Sequence, residues 1–156
     1  KAAVAVVNTT LRRPGDAELA RTFYEERVRL AFERFARIGR DFYALEQRWP
    51  EAVFWRERTH WPDDRPAHAP PLTEPPRIES RPVVENGFIV ARRVVVTADQ
   101  PRGVWQIDGV PIVDLLDWRR RHDGDDLPDV AAARFACTPQ QVATALQWLR
   151  YRRLIG

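Results

Sequence analysis

The expected fold is decided by the stretch from Asp126 to Leu149, which reads D-L-P-D-V-A-A-A-R-F-A-C-T-P-Q-Q-V-A-T-A-L-Q-W-L. Its pattern predicts two short helices joined by a tight turn. Asp126 is placed to cap the first helix. At the start of the second helix Thr138 can cap, Pro139 takes the first helical position, and Gln141 stands where a capping box has Glu or Gln.

Both predicted helices carry an apolar stripe at the spacing that brings side chains to one helix face. The stripe of the first helix is Leu127, Val130, Ala131 and Phe135, and that of the second is Val142, Ala145, Leu146 and Leu149. Only Ala136, Cys137 and Thr138 separate the two helices, and a turn this short is typical of a helix-turn-helix. An ordinary αα-hairpin without a nucleic-acid partner is the alternative.

The N-terminal part of the chain is dominated by one helical pattern. Apolar residues recur at helical spacing from about Asp16 to Arg48, and charged residues fill the gaps. We expect an amphipathic segment here, with Gly39 as the point where it would divide into two helices. Its apolar face packs within its own domain or against a sister subunit. The alternative is that this face is a partner-binding or dimerisation arm. The candidate partner-binding residues are Phe23, Phe32, Phe35 and Phe42. Before this segment, the valine-rich run 2–7 favours a short strand.

A proline-rich stretch over residues 62–80 marks a boundary in the chain. Its proline content argues against helix and central strand, so we expect an extended connector. The chain then divides into a helical partner-binding or dimerisation region (1–61), this linker (62–80) and a C-terminal region (81–156).

The C-terminal region begins with a small β element. Asn86-Gly87 is the strongest short hairpin signal, and it lies between predicted strands at 81–85 and 88–96. A third strand is expected at 104–107, before a turn at Asp108-Gly109.

A further helix follows the β element, and its apolar residues are Ile112, Leu115, Leu116 and Trp118. The polar stretch 122–126 separates it from the helix pair described above. The predicted fold class is therefore α+β and mainly α. It comprises N-terminal amphipathic helices, a Pro-rich connector, a small β-hairpin and a C-terminal three-helix helix-turn-helix domain.

Composition places the chain among globular proteins of modest net charge. Its 156 residues are 44% apolar and carry a formal net charge of +3, and Lys1 is the only lysine. That charge favours a nucleic-acid partner only weakly. The single cysteine excludes an internal disulfide and fits a reducing cytoplasm, and no apolar run approaches the length of a membrane span. We therefore expect a cytoplasmic protein with no membrane partner.

A series of motifs runs through the last third of the chain. It consists of G-V-P-I-V at 109–113, an acidic Gly turn, D-V-A-A-A-R-F at 129–135 and T-P-Q-Q-V-A-T-A-L-Q-W-L-R-Y at 138–151. In this order of parts, residues 104–151 resemble the domain-of-unknown-function 433 family, a small three-helix, homeodomain-like domain. The resemblance implies the antitoxin of a type II toxin–antitoxin pair. It also implies a PIN-like ribonuclease as partner and repression of the antitoxin's own promoter.

The predicted turn and the resemblance together favour a DNA-binding transcriptional regulator. The second helix of the pair would enter the major groove of operator DNA, and two copies on a palindrome would act as a homodimer. Candidate base-reading residues are Thr138, Gln140, Gln141, Thr144 and Gln147. Candidate phosphate contacts are Arg119, Arg120, Arg121, Arg150, Arg152 and Arg153.

No catalytic, metal or cofactor site is predicted. His60, His68 and His122 are far apart, and none has a second ligand at helical spacing. The sequence has no Gly-rich phosphate loop, and Cys137 has no neighbour that would activate its thiol. We therefore expect a protein that is not an enzyme. The alternative function is an adaptor or assembly subunit that binds only protein, through its N-terminal helices and its hairpin.

Overall fold

A computed structural model gives the fold, and it describes residues 2–68, 74–122 and 127–156. Within them the helices are α1 (Ala2–Arg12), α2 (Ala17–Ala44), α3 (Val53–Arg58), α4 (Ile112–Arg119), α5 (Leu127–Phe135) and α6 (Pro139–Tyr151). The strands are β1 (Arg77–Glu85), β2 (Phe88–Thr97), β3 (Gln100–Val104), β4 (Gln106–Ile107) and β5 (Val110–Pro111). The expected α+β, mainly helical class is confirmed.

The N-terminal segment forms helix α1, so the predicted strand over residues 2–7 is wrong. Its valines favour a strand, but tertiary contacts decide the outcome. Ala5 is buried in a cluster with Phe23 and Ile89. The Thr9 hydroxyl donates to the Ala5 carbonyl at 2.7 Å and accepts from the Ile89 amide at 2.7 Å. The first of these bonds spans one helical turn, and the second joins α1 to strand β2.

Helix α2 is continuous, and Gly39 lies inside it without dividing it. Asp16 takes the N-cap position, but its side chain makes no capping hydrogen bond. Along the whole helix only Ala20 and Phe23 are buried, so the core holds its first two turns. The rest of α2 extends beyond the core. No helix of the described ranges, α2 included, is both long enough and apolar enough to cross a lipid bilayer.

Strands β1, β2 and β3 form an antiparallel sheet in that order. The predicted hairpin is confirmed, because Asn86 and Gly87 have the positive φ angles of 49° and 80° that its tight turn requires. Strand β1 begins at Arg77 rather than Arg81, inside the stretch expected to be a linker. The predicted third strand is divided between β3 and β4, and β4 pairs with β5 in a separate two-stranded ladder.

Strand β3 is kinked where it passes over β2. The register between the two strands shifts between Val95 and Thr97. Gly103 lies at the kink with a φ of +77°, and a Cβ atom on it would stand 2.3 Å from the Val94 Cγ2 atom. Only glycine combines this backbone angle with this close approach. The chain then places Trp105 against the cluster of Val83, Val94 and Val96.

The C-terminal helices and strand β2 share the largest hydrophobic cluster. Its buried members include Val95, Val110, Ile112, Val113, Leu115, Leu116, Trp118, Ala131, Ala132, Val142, Ala145, Leu146 and Leu149. The predicted stripe of α6 and the apolar residues expected in α4 are therefore confirmed. In α5 the expectation for Val130 is wrong, because this side chain is exposed and Ala132 takes a place in the core. The predicted Asp126 cap lies outside the described residues, as does the side chain of Leu127.

The turn between α5 and α6 has the predicted length. Ala136 has a φ of +52°, in the left-handed region that favours glycine. The chain therefore reverses here with some backbone strain. The predicted capping box is confirmed: the Thr138 amide donates to the Gln141 side-chain oxygen at 2.8 Å, and the Gln141 amide donates to the Thr138 hydroxyl at 3.3 Å. Pro139 occupies the first helical position.

Replacing Gly103 by alanine tests the kink in β3. The Gly103→Ala variant should lose about 2–4 kcal/mol of unfolding free energy, because it adds both a strained φ angle and a clash with Val94. The matched control is Gly39→Ala in α2, where a Cβ atom meets only the Tyr43 ring at 3.9 Å. It should gain about 0.5–1 kcal/mol. Urea denaturation followed by circular dichroism measures both. Equal midpoints for the two variants would contradict this account of the kink.

Candidate functional site

The structure places the candidate base-reading residues at the start and along the outer side of α6. Gln140, Thr144 and Gln147 are exposed. Thr138 and Gln141 are engaged in the capping box, and the Gln141 side-chain amide also donates to the Asp108 carbonyl at 2.9 Å. The Thr144 hydroxyl donates to the Gln140 carbonyl at 3.0 Å. Much of the hydrogen-bonding capacity of this face is therefore used within the protein.

The candidate phosphate-binding arginines differ in their exposure and in the groups that they contact. Arg152 is only 5% exposed and points into the protein. Arg120 lies 3.8 Å from the carboxylate of Asp117, and Arg121 donates to the Asp117 carbonyl at 3.0 Å. Arg119 donates to the His122 carbonyl at 2.7 Å. Arg150 and Arg153 are exposed at the end of α6.

Arg152 forms a buried ion pair instead of an exposed phosphate contact. Its two terminal nitrogens donate to the two carboxylate oxygens of Asp99 at 2.7 and 2.8 Å. These hydrogen bonds hold the pKa of Asp99 below its usual value, and a hydrogen bond from Thr97 acts in the same direction. The pair ties the end of α6 to the turn after β2. Sequence periodicity could not show this, because the partner lies far away in the chain.

Three of the four candidate partner-binding phenylalanines lie together on an exposed face of α2. Phe32, Phe35 and Phe42 are 58%, 68% and 69% exposed. Phe23 is only 4% exposed and belongs to the core cluster with Ala5, so it cannot reach a partner. We call the exposed face the aromatic stripe, and its members are Tyr24, Val28, Phe32, Phe35, Phe42 and Leu45. At the rise of an α-helix it is about 30 Å long.

The segment after α3 borders the aromatic stripe and holds the far part of α2. Trp61 packs edge-on against Phe32 with the ring centres 5.7 Å apart. Arg37 donates to both carboxylate oxygens of Asp63 at 2.8 and 2.6 Å. These bonds lower the pKa of Asp63 to about 2. The far part of α2, which presents the aromatic stripe, is therefore held by the segment after α3.

Two open grooves lie between α2 and the sheet. The first has a volume of about 490 Å³, and its wall includes Phe23, Arg27, Val83, Arg102 and Trp105. The second has a volume of about 570 Å³ and includes Arg34, Phe35, His68, Asp99 and Arg102. Gln100 and Arg102 line both grooves, so the two share one wall. We refer to them together as the paired grooves.

Arginine charge dominates the electrostatics of the paired grooves. The Arg27 guanidinium stands over the Phe23 ring at 5.0 Å. Partial burial lowers the pKa of Arg27, and the nearby positive charge of Arg102 lowers it further. Within the described residues, neither of these two arginines has a carboxylate within ion-pair distance. No pattern in the sequence indicates that these arginines meet, because one lies on α2 and the other on β3.

Metal and thiol chemistry find no support in the described parts of the chain. No group of three or more histidine, cysteine or acidic residues there is placed to hold a metal ion. Burial raises the pKa of the Cys137 thiol, which keeps it in the unreactive protonated form. The acidic stretch after His122 lies outside the described residues.

Comparisons with known proteins change the functional conclusion. No family model matches the chain, and no curated protein matches it. A solved structure described as "Peptidyl tryptophan dihydroxylase QhpG essential for tryptophylquinone cofactor biogenesis" is similar, with 37% sequence identity and a TM-score of 0.76. The match covers 99% of this chain and 35% of that chain. The present chain thus spans about a third of the length of QhpG.

This similarity contradicts the expected function. A DNA-binding antitoxin that represses its promoter was expected, with operator DNA and a PIN-like ribonuclease as partners, and the similar protein is an enzyme of cofactor biogenesis. The expectation that the protein is not an enzyme is contradicted for the same reason. The homodimer was inferred from DNA binding and loses its basis with it. The physical cause of the error is that a capping box and two apolar stripes specify helices, not what their outer faces bind.

The Arg152–Asp99 pair gives a test of the arrangement described above. Replacing Asp99 by asparagine leaves a buried arginine without its counter-charge, so the Asp99→Asn variant should lose about 3 kcal/mol of unfolding free energy. The matched control is Asp117→Asn, which breaks the exposed pair of Asp117 with Arg93 and should cost about 0.5 kcal/mol. Urea denaturation at neutral pH measures both.

The same pair predicts a pH dependence. Because the pKa of Asp99 is lower in the folded state than in the unfolded chain, its contribution is complete above about pH 4 and is lost as the pH falls further. The stability difference between the parent chain and Asp99→Asn should therefore shrink in acid. A difference that stays constant from neutral pH into strong acid would contradict the ion pair.

Proposed function

We propose that this chain is part of an enzyme that hydroxylates a tryptophan side chain within a peptide, as a peptidyl tryptophan dihydroxylase does. The observation that carries the proposal is 37% identity sustained over 99% of the chain, at a TM-score of 0.76. Likeness of fold alone would support no activity, but identity at this level along the entire chain favours a shared role.

Such an enzyme has two tasks, which are to bind the peptide and to oxidise its tryptophan side chain. Dihydroxylation converts two C–H bonds of the tryptophan side chain into C–OH bonds. When dioxygen is the oxidant, each hydroxylation takes up one oxygen atom and two electrons from a reductant, and the second oxygen atom leaves as water. A peptide substrate must be held by its flanking residues while the tryptophan reaches the oxidising centre. The open, arginine- and aromatic-lined paired grooves support a binding role for this chain.

The aromatic stripe supports a second role, as the face that packs on the oxidising part of the enzyme. In this proposal, that part corresponds to the portion of QhpG outside the match, which is most of its chain. An exposed apolar face of this length is unusual for a protein surface that contacts only water. Its Phe35 also lines the second groove, so the interface would adjoin the bound peptide. Binding sites are common at such domain boundaries.

Mass spectrometry tests the proposed activity directly. The full-length protein that contains this chain is incubated in air with a two-electron reductant and a library of tryptophan-containing peptides. We expect products heavier by two oxygen atoms, with the added mass located on tryptophan by fragmentation. A matched library with phenylalanine at the same positions, and a reaction under nitrogen, should give none. Products modified on other residues, or no modification of any tryptophan peptide or protein supplied, would count against the proposal.

Polar substitutions in the aromatic stripe test its packing role. The double variant Phe35→Ser/Phe42→Ser should change the intrinsic stability of the chain by less than about 0.5 kcal/mol per site, because both side chains are exposed. In the full-length protein it should nevertheless speed amide hydrogen exchange along α2, because the covering part no longer packs there.

The control for that experiment is Leu11→Ser, which removes an equally exposed apolar side chain from α1, away from the stripe. Its exchange pattern along α2 should match the parent protein. If α2 in the unaltered full-length protein exchanges as fast as an open helix, the stripe is not covered and the packing role fails.

A further inference from the structure

The carboxylates on the walls of the paired grooves are already neutralised by other residues. Glu26 lines the first groove and forms an ion pair with Arg81. Asp99 lines the second groove and pairs with Arg152. Neither is within ion-pair distance of Arg27 or Arg102. The walls of the grooves are therefore left with positive charge that no described acidic residue balances.

Arg27, Arg34 and Arg102 form an arginine row along the paired grooves, and of these Arg102 lies on the wall that both grooves share. Arg27 and Arg34 are two helical turns apart, so they lie on the same side of α2. Arg102, on the kinked strand β3, faces both grooves. Arg34 also has no carboxylate within ion-pair distance among the described residues. Its spacing from Arg27 is about 10 Å along the helix, the span of about three residues of an extended peptide.

The kink in β3 keeps the row in place. Gly103 is held against Val94 and Val96, and this contact fixes the backbone that carries Arg102. Arg27 is held by its contact with the Phe23 ring, which is itself buried in the core. Two like charges are thus kept near each other by packing, at an electrostatic cost. An anion between them would remove that cost, and arginine is well suited to bind a carboxylate through two parallel hydrogen bonds.

We propose that the paired grooves bind an acidic stretch of the peptide substrate, with Arg27 and Arg102 pairing with one carboxylate side chain and Arg34 with another. This inference rests on the proposed function, because it assigns the acidic stretch to the peptide that carries the tryptophan. An extended peptide fits the shape, since the two grooves share a wall and follow α2. The half-buried Trp105 ring on the wall of the first groove would accommodate an apolar side chain between the acidic ones.

Fluorescence anisotropy with defined peptides tests this site. The probe is a fluorescein-labelled peptide of about ten residues in which aspartate and glutamate flank one tryptophan, and the comparison peptide has asparagine and glutamine at those positions. The full-length protein should bind the acidic peptide about tenfold or more tightly than the amide peptide at physiological salt. Raising the salt concentration should weaken binding of the acidic peptide alone.

Substitutions assign the effect to residues. Arg27→Gln and Arg102→Gln should each weaken binding of the acidic peptide about tenfold and leave the amide peptide unaffected. The matched controls are Arg56→Gln and Arg150→Gln, which remove exposed arginines that line neither groove, and these should change affinity less than twofold. Thermal unfolding checks each variant, and a variant that no longer folds is replaced by its Lys counterpart, which keeps the charge and loses the paired hydrogen bonds.

Several outcomes would overturn the inference. One is equal affinity for the acidic and amide peptides, and another is an equal loss in the groove and control variants. Inorganic phosphate that binds as tightly as the peptide, with the same dependence on Arg27 and Arg102, would show a site for a free anion instead. Tryptophan oxidation with unchanged peptide affinity in both groove variants would remove the groove role and leave the proposed function standing. Binding that depends on Arg27 and Arg102, without any tryptophan oxidation, would support the groove role and count against the proposed function.

Discussion

The structure depends on the burial of the two ends of strand β2, on either side of the exposed Ala91, Arg92 and Arg93. Ile89 packs with helices α1 and α2, and Val95 packs with the C-terminal helices. Val94 and Val96 lie on the opposite face of β2 from Ile89 and Val95, where Gly103 of the kinked strand β3 and Trp105 pack against their cluster. A stretch of strand covered on both faces carries a continuous apolar run instead of an alternating one, and Val94, Val95 and Val96 at the end of β2 fit this rule. The N-terminal helices and the C-terminal helices thus both gain their core contacts from one strand.

That arrangement leaves helix α2 longer than the core that holds it. Its buried residues, Ala20 and Phe23, lie in the first two turns, and its remaining length presents the aromatic stripe on one side and the arginine row on another. The stripe stays largely exposed although Trp61 packs against Phe32, and the arginines of the row have no carboxylate within ion-pair distance among the described residues. Both features are unfavourable for an isolated domain. A further protein part would cover the apolar stripe, and an acidic peptide would balance the charge of the arginines. The similarity to one third of a peptide-modifying enzyme fits this interpretation.

The DNA-binding hypothesis was wrong for a reason that applies widely. The local signals around Thr138 and Gln141 were interpreted correctly, and the capping box forms as expected. However, these signals report only that two helices meet at a short turn. On the outer face of α6, Thr138 and Gln141 hydrogen-bond to each other in the cap, and Gln141 also donates to the Asp108 carbonyl. Arg152, which follows α6, is directed inward to Asp99. The same helix pair can serve as a structural unit of an enzyme.

The sequence by itself determined the elements whose energetics are local. The Asn86-Gly87 turn, the cap at Thr138 and the buried stripe of α6 each depend on residues within a few positions of one another, so their pattern is visible in the chain. The tertiary structure alone decided that the valine-rich N-terminus is a helix, that Arg152 is buried against Asp99, and that arginines of α2 and β3 share one groove. The physical reason is that burial and charge pairing join groups far apart in sequence, and no short-range periodicity encodes which distant groups will meet.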